Sequence, residues 1–273
     1  MKFAIYIGKK GLENDARILS LLDGLSENGA AFYVLSDDES PSADTDMLLS
    51  VGGDGTFLSA SALVADMGIP VLGVNLGRLG FLSENRPEDI VPAIFSDEYS
   101  IEKRTLLHAE LTDGGGSTIG FRPFALNEMT VRRSGAAMLG VDVSVDGVQL
   151  PTYWADGLVI STSSGSTAYS LSVGGPIILP EAKVLIISPI APHNLNVRPL
   201  VVPDSSELTL RMSSRDGRFE FSADNRTTEV TEDTRISISV AQFSLMRVRL
   251  NRSNFIKALT EKLFWGEDVR NIK

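Results

Sequence analysis

Cysteine is missing from this chain, which excludes disulfides, cysteine-ligated zinc and thiol catalysis. Histidine is scarce: His108 and His193 are the two, neither has a recognisable catalytic partner in sequence, and both read as structural. Positive charge is also short. Lys and Arg number 25 against 35 Asp and Glu, and the formal charge of −10 disfavours an extended nucleic-acid backbone as partner. No apolar stretch approaches membrane-spanning length, and Met1 to Ile7 lacks the longer apolar core of a signal peptide. The expectation is a soluble, cytoplasmic protein with no membrane partner. The P-loop pattern Gly-x4-Gly-Lys-Ser/Thr is absent, and Gly73, Gly77 and Gly80 miss the dinucleotide-fingerprint spacing. What remains is 273 residues with 43% hydrophobic content, enough to bury a sizeable core in two domains.

The most informative residues present are Gly52, Gly53, Asp54, Gly55 and Thr56. The apolar run Met47 to Val51 before them reads as a buried parallel strand, and Phe57, Leu58, Ser61, Ala62, Val64 and Ala65 after them recur at helical spacing. A glycine-rich strand-to-helix turn offers backbone N–H groups to phosphate, so Gly52, Gly53, Gly55 and Thr56 form a candidate phosphate-binding turn. Asp54 is too short and too acidic to cradle phosphate itself; it is expected to orient or deprotonate an attacking hydroxyl, or to help hold a metal ion. The competing reading is a plain tight turn, because Asp-Gly recurs at 146, 156 and 216. At Asp146 and Gly147 that reading wins, with Val141, Val143 and Val145 alternating before and Val148 and Leu150 after, as in a hairpin.

The patterning changes near residue 100. Before it, strand-like Phe3 to Ile7, Ala31 to Leu35, Met47 to Val51 and Val71 to Val74 alternate with helix-like Asn14 to Glu27 and Phe57 to Met67, predicting a parallel sheet with covering helices over 1–100. From 101 to 250, eight short alternating segments, the last at Leu245 to Leu250, predict a β-rich domain. Ser253 is expected to cap a final helix over 251–273 whose apolar stripe, Phe255, Ile256, Leu259, Leu263 and Phe264, returns to the first domain.

A second segment, Asp156 to Gly175, runs from a strand into a hydroxyl-rich turn and a helix start. Its Ser, Thr and Gly residues suit a polar ligand, and Tyr169 suits an aromatic base; an ordinary capped loop is the alternative. An anionic nucleotide on so acidic a chain needs local help from backbone N–H groups, a divalent cation, or one of Arg78, Arg132, Arg133 and Arg198, each of which reads otherwise as a solvated surface charge.

Taken in order, Gly52 to Thr56, Asn75 to Leu82, Asn127 with Glu128, Asp156 to Gly175 and Ser188 to Val202 resemble the ATP-NAD kinases over nearly the whole chain. The resemblance implies transfer of the ATP γ-phosphoryl group to the 2′-hydroxyl of the adenosine ribose of NAD, by an N-terminal α/β domain and a C-terminal β-sandwich with the site between them. It also implies homo-oligomers, expected as a homodimer or homotetramer; the divalent cation, expected to be Mg²⁺, follows instead from charge, since a cation bridging phosphates would offset the repulsion of Asp54 and Glu128. Asp54 matches the family's general base and Gly55 a position against the NAD diphosphate. Asn127 and Tyr169 match positions beside the adenine, as does Ser164, and Glu128 one near the ribose and phosphates. Thr167, Ala168, Ser170, Leu171 and Ser172 follow the ligand, while Asp156 and Ala191 face the nicotinamide half. The chain departs from the family at three places: Ser163 stands for a usual Pro, Trp154 for a usual Arg or Lys, and Asn225 follows Asp224 where Asp, Gly, Gln is common, so Asn225 is carried as a ligand position only. A lipid kinase sharing the phosphate turn, and a non-catalytic dinucleotide sensor, are the alternatives.

Overall fold

The computed structural model describes every residue except 10, 38, 78, 79, 252, 253, 264 and 266–273. Its contacts divide the chain into two units, residues 1–103 with 245–273, and residues 104–244.

In the first unit the strands expected from short apolar runs form a sheet in the order Ala31–Leu35, Lys2–Ile7, Met47–Val51, Val71–Val74, Leu245–Leu250, Tyr99–Arg104. The first four pair in parallel, and Leu245–Leu250 joins Val71–Val74 in parallel through Arg247 and Val71. All five residues of Met47–Val51 are buried, as a strand covered on both faces requires. Helix Ala16–Glu27 is capped by Asp15, whose carboxylate accepts the Arg17 N–H at 2.9 Å, and it buries Ile18, Leu21 and Leu25 on one stripe. Helix Pro87–Phe95, which is not among the elements expected from sequence, starts with Pro at its first position and acids in its first turn, and buries Ile90, Ala93 and Ile94. The final helix is Phe255–Leu263, with Ala258 and Leu259 buried. Asn254 caps it, accepting the Ile256 and Lys257 N–H groups at 2.9 and 3.3 Å; the expected cap Ser253, like Phe264 of the apolar stripe, lies outside the described residues.

Strand Leu245–Leu250 differs from its expected place in the β-rich half. It is inserted in the parallel sheet because Val248 and Leu250 complete the apolar core built on Phe3, Ile5, Leu49 and Leu72.

The second unit carries two antiparallel sheets. One runs Val148–Gln149, Leu139–Val145, Leu208–Ser213, Arg235–Val240, Leu107–Thr112, Phe124–Ala125, with Tyr153–Ala155 also on Leu139–Val145. The other runs Leu200–Pro203, Val184–Ile190, Gly157–Thr162, Glu128–Arg133, Arg218–Ala223, Arg226–Thr231. Side chains from both, including Val141, Leu210 and Ile236 from one and Val131, Ile160 and Phe221 from the other, form one apolar core, which makes this unit a β-sandwich. The hairpin at Asp146 and Gly147 has positive φ at both, 52° and 80°, with Val145 opposite Val148, as a two-residue turn of the primed type demands.

Candidate active site

In the first unit, the sheet order changes direction between Lys2–Ile7 and Met47–Val51, and ligands of open α/β sheets bind at the carboxyl ends of strands where this happens. The turn Gly52 to Thr56 follows Met47–Val51 there and leads into helix Asp54–Val64. Gly52 adopts φ 154°, and a Cβ on it would sit 2.2 Å from the Thr56 hydroxyl, so only glycine lets Thr56 tuck under the turn. Gly53 and Gly55 are exposed and meet nothing nearby, leaving the helix N-terminus open to an anion.

Asp54 opens that helix, and its carboxylate is held by three consecutive backbone N–H groups. Phe81 donates to Oδ2 at 2.8 Å, and Leu82 and Ser83 donate to Oδ1 at 3.0 and 2.8 Å. A carboxylate has about four lone-pair sites, so a further one remains, on Oδ2. Phe81 and Leu82 close the expected Asn75 to Leu82 motif, of which Arg78 and Leu79 lie outside the described residues, and Ser83 follows it directly. Among the described residues no three His, Cys, Asp or Glu side chains are grouped to cage a metal ion.

In the second unit, Asn127, Glu128 and the turn Ser164–Thr167 are brought together. The buried Asn127 accepts the Thr162 N–H at its carbonyl at 2.9 Å, and Gly165 lies so close that a Cβ would be 2.1 Å from that oxygen. Glu128 takes a backbone hydrogen bond from Tyr169, while its Oε2 is buried without a partner among the described residues. Burial first, and the charge of Asp224 second, push the Glu128 carboxyl up to about 8. Asp224 itself, at φ 52° in the turn between Arg218–Ala223 and Arg226–Thr231, accepts N–H groups from Leu126, Asn127 and Glu128 at 2.8, 2.9 and 3.2 Å. Burial pushes its carboxyl up too, while those three donors and Arg226 work against the shift. This anchoring role was not legible in sequence, where Asp224 and Asn225 stand only as a departure from the family pattern.

Thr167, Ala168, Tyr169 and Leu171 are partly exposed along helix start Tyr169–Ser172; Ser172 is exposed and Ser170 buried, 3.5 Å from Ser188. Ser163 donates to the Pro180 carbonyl at 3.0 Å, a side-chain hydrogen bond that fixes this turn. Asp156 is paired with Arg133 at 2.7 Å, and Ala191 is exposed at φ 46°, leading to His193, whose N–H donates to the Trp154 carbonyl. Asn225 is exposed at the hairpin tip. Of the candidate phosphate arginines, Arg132 is paired with Glu220, Arg133 with Asp156, and Arg198 binds the carbonyls of Leu195 and Val197. Arg78 lies outside the described residues. His108 sits in a strand with its ring 5.1 Å from Phe124, a packing role.

An open parallel sheet bearing a Gly-Gly-Asp-Gly turn at a helix start, in one chain with an antiparallel sandwich bearing a hydroxyl-rich loop, is the frame of a nucleotide-dependent phosphotransferase. Residues 22–96 match the ATP-NAD kinase N-terminal domain, and residues 126–250 the ATP-NAD kinase C-terminal domain. An NAD kinase of Flavobacterium psychrophilum is 46% identical over 83% of this chain and 78% of its own. One of Bacteroides fragilis is 38% identical over 99% of this chain and 100% of its own. Among solved structures, a yeast NADH kinase complexed with NADH shares the fold at TM-score 0.85 and 24% identity, covering 99% of this chain and 89% of that one. An Archaeoglobus fulgidus NAD kinase in complex with ATP gives 0.79 at 25% identity, covering 96% and 98%. The chain belongs to the ATP-NAD kinase family, whose members are ATP-dependent enzymes that phosphorylate NAD.

Proposed function

We propose that this chain moves the γ-phosphoryl group of ATP to the 2′-hydroxyl of the adenosine ribose of NAD, with Asp54 as the base. The observation that carries the role of Asp54 is its three-donor clamp, which fixes the carboxylate while one lone pair stays free for a sugar hydroxyl. As the ribose oxygen bonds to the γ-phosphorus, the bond to the β,γ-bridging oxygen breaks, ADP leaves, and the hydroxyl proton passes to Asp54. Gly52, Gly53, Gly55 and Thr56 hold phosphate through the open helix start. A divalent cation, when bound, neutralises phosphate charge.

Asn127, Ser164 and Tyr169 take the adenine in this reading, Glu128 the ribose, and Thr167, Ala168 and Ser170 to Ser172 follow the dinucleotide. Asp156, Ala191 and Asn225 complete the NAD contacts. The resemblance further supports cytoplasmic work as a homodimer or homotetramer. The test is Asp54→Asn assayed for NADP formation with ATP, Mg²⁺ and NAD, with diacylglycerol as a control acceptor. Turnover is expected to fall by on the order of a hundredfold or more in a folded protein, the usual worth of a positioned base. Unchanged turnover would remove Asp54 from the chemistry.

A further inference from the structure

Two consecutive peptide groups next to Asp54 are each gripped at both ends. The one joining Gly80 to Phe81 receives the Lys262 ammonium on its carbonyl and gives its N–H to Asp54 Oδ2 at 2.8 Å. The next, joining Phe81 to Leu82, receives the Arg247 guanidinium on its carbonyl at 3.3 Å and gives its N–H to Asp54 Oδ1 at 3.0 Å. An amide dipole is negative at oxygen and positive at the N–H. A cation on one end and a carboxylate on the other therefore polarise the same group in the same sense, and hydrogen bonds in such a chain strengthen one another.

Both cations come from the returning end of the chain, Arg247 from strand Leu245–Leu250 and Lys262 from helix Phe255–Leu263. Arg247 has a side chain only 4% exposed and is also paired with Glu84 and Glu102. Lys262 is half-buried, with Nζ 5.1 Å above the Phe81 ring and the charges of Glu84 and Asp54 nearby. Gly80 permits the close approach, since a Cβ there would lie 2.0 Å from Asp54 Oδ1.

On the reading of Asp54 as the base, we propose that Lys262 and Arg247 are positioning residues for it. Acting through the Gly80 and Phe81 carbonyls, they hold the N–H groups that aim its carboxylate and leave its free lone pair to the substrate. This sets the chain's own cations behind the base, where they compete with neither hydroxyl nor phosphate.

The experiment is a double-mutant cycle on the full chain with Lys262→Met, Asp54→Asn and the pair, measuring kcat and the KM for NAD and for ATP. Lys262→Met is expected to lower kcat about tenfold with both KM values within about twofold, and to cost nothing further once Asp54 is Asn, because groups acting as a unit are non-additive. A brace that served only the fold would not show that dependence on Asp54. Arg247→Lys, which keeps a cation in a buried place where Arg247→Met endangers folding, is expected to give a smaller loss with the same non-additivity. Wild-type kcat in Lys262→Met, or a further tenfold loss on top of Asp54→Asn, overturns the positioning role and leaves Asp54 as base. Wild-type turnover in Asp54→Asn overturns the base and the positioning role together.

Discussion

Glu128 and Asp224 show how two acids in one pocket divide charge between them. Asp224 has three backbone donors and the nearby Arg226 to stabilise its anion. Glu128 has one backbone hydrogen bond and a buried oxygen without a partner among the described residues, so it is the member that keeps its proton, up to about pH 8. The consequence for stability has a definite sign. Between the ordinary 4.5 and about 8 the unfolded chain has released the proton that the folded chain retains, so stability falls as pH rises through that window. Glu128→Gln keeps the shape and removes the titration. Melting curves from pH 4 to 9 should show the variant gaining on the wild type across the window and exceeding it at the alkaline end; parallel curves would mean that Glu128 ionises normally in the fold.

Between elements, the contact that matters most is the turn Ser164–Thr167 against the loop carrying Asn127. Gly165→Ala would drive a Cβ into the Asn127 backbone carbonyl at 2.1 Å, and since neither backbone can yield cheaply, the cost is expected near 1–3 kcal/mol. The same shift displaces proposed adenine contacts, so the KM for NAD should rise several-fold while the KM for ATP stays near its wild-type value. Equal KM values for NAD in the folded variant would argue that this turn does not meet the dinucleotide. Elements with a clear local signal were legible in sequence: the apolar run Met47–Val51, buried throughout, and the alternating hairpin at Asp146 both stand where the residues put them. Helix Pro87–Phe95 was not, because Pro92 lies inside it, a residue that ordinarily ends a helix, although Ile90, Ala93 and Ile94 do share one face. Strands Glu128–Arg133 and Arg226–Thr231 were hidden too, since they are polar and exist through pairing with Arg218–Ala223. The candidate turn around Asp54 could be read from its glycines, but its clamp depends on a loop 27 to 29 positions away, which no local pattern encodes.

For the molecule as a whole, the two units differ in how the chain builds them. The sandwich comes from one continuous stretch, residues 104–244, and among the described residues its apolar core is built from that stretch. The parallel-sheet unit is split: strand Leu245–Leu250 lies inside its sheet, flanked by Val71–Val74 and Tyr99–Arg104, and supplies Val248 and Leu250 to its core. Residues 104–244 are thus an insertion into the first unit, and long insertions cost a fold little in closure entropy. Expressed alone, the fragment 104–244 should unfold cooperatively with an antiparallel β spectrum. Residues 1–103 alone should not fold, because removing an interior strand opens the sheet and exposes buried Leu72 and Val74. Adding residues 245–273 to fragment 1–103 through a short glycine-serine linker should restore cooperative unfolding, since the missing strand and the Arg247 ion pairs with Glu84 and Glu102 return together. Circular dichroism and thermal melts of the three fragments decide it: a cooperative transition in 1–103 alone would mean that the returning strand is an accessory to this sheet and not part of its frame.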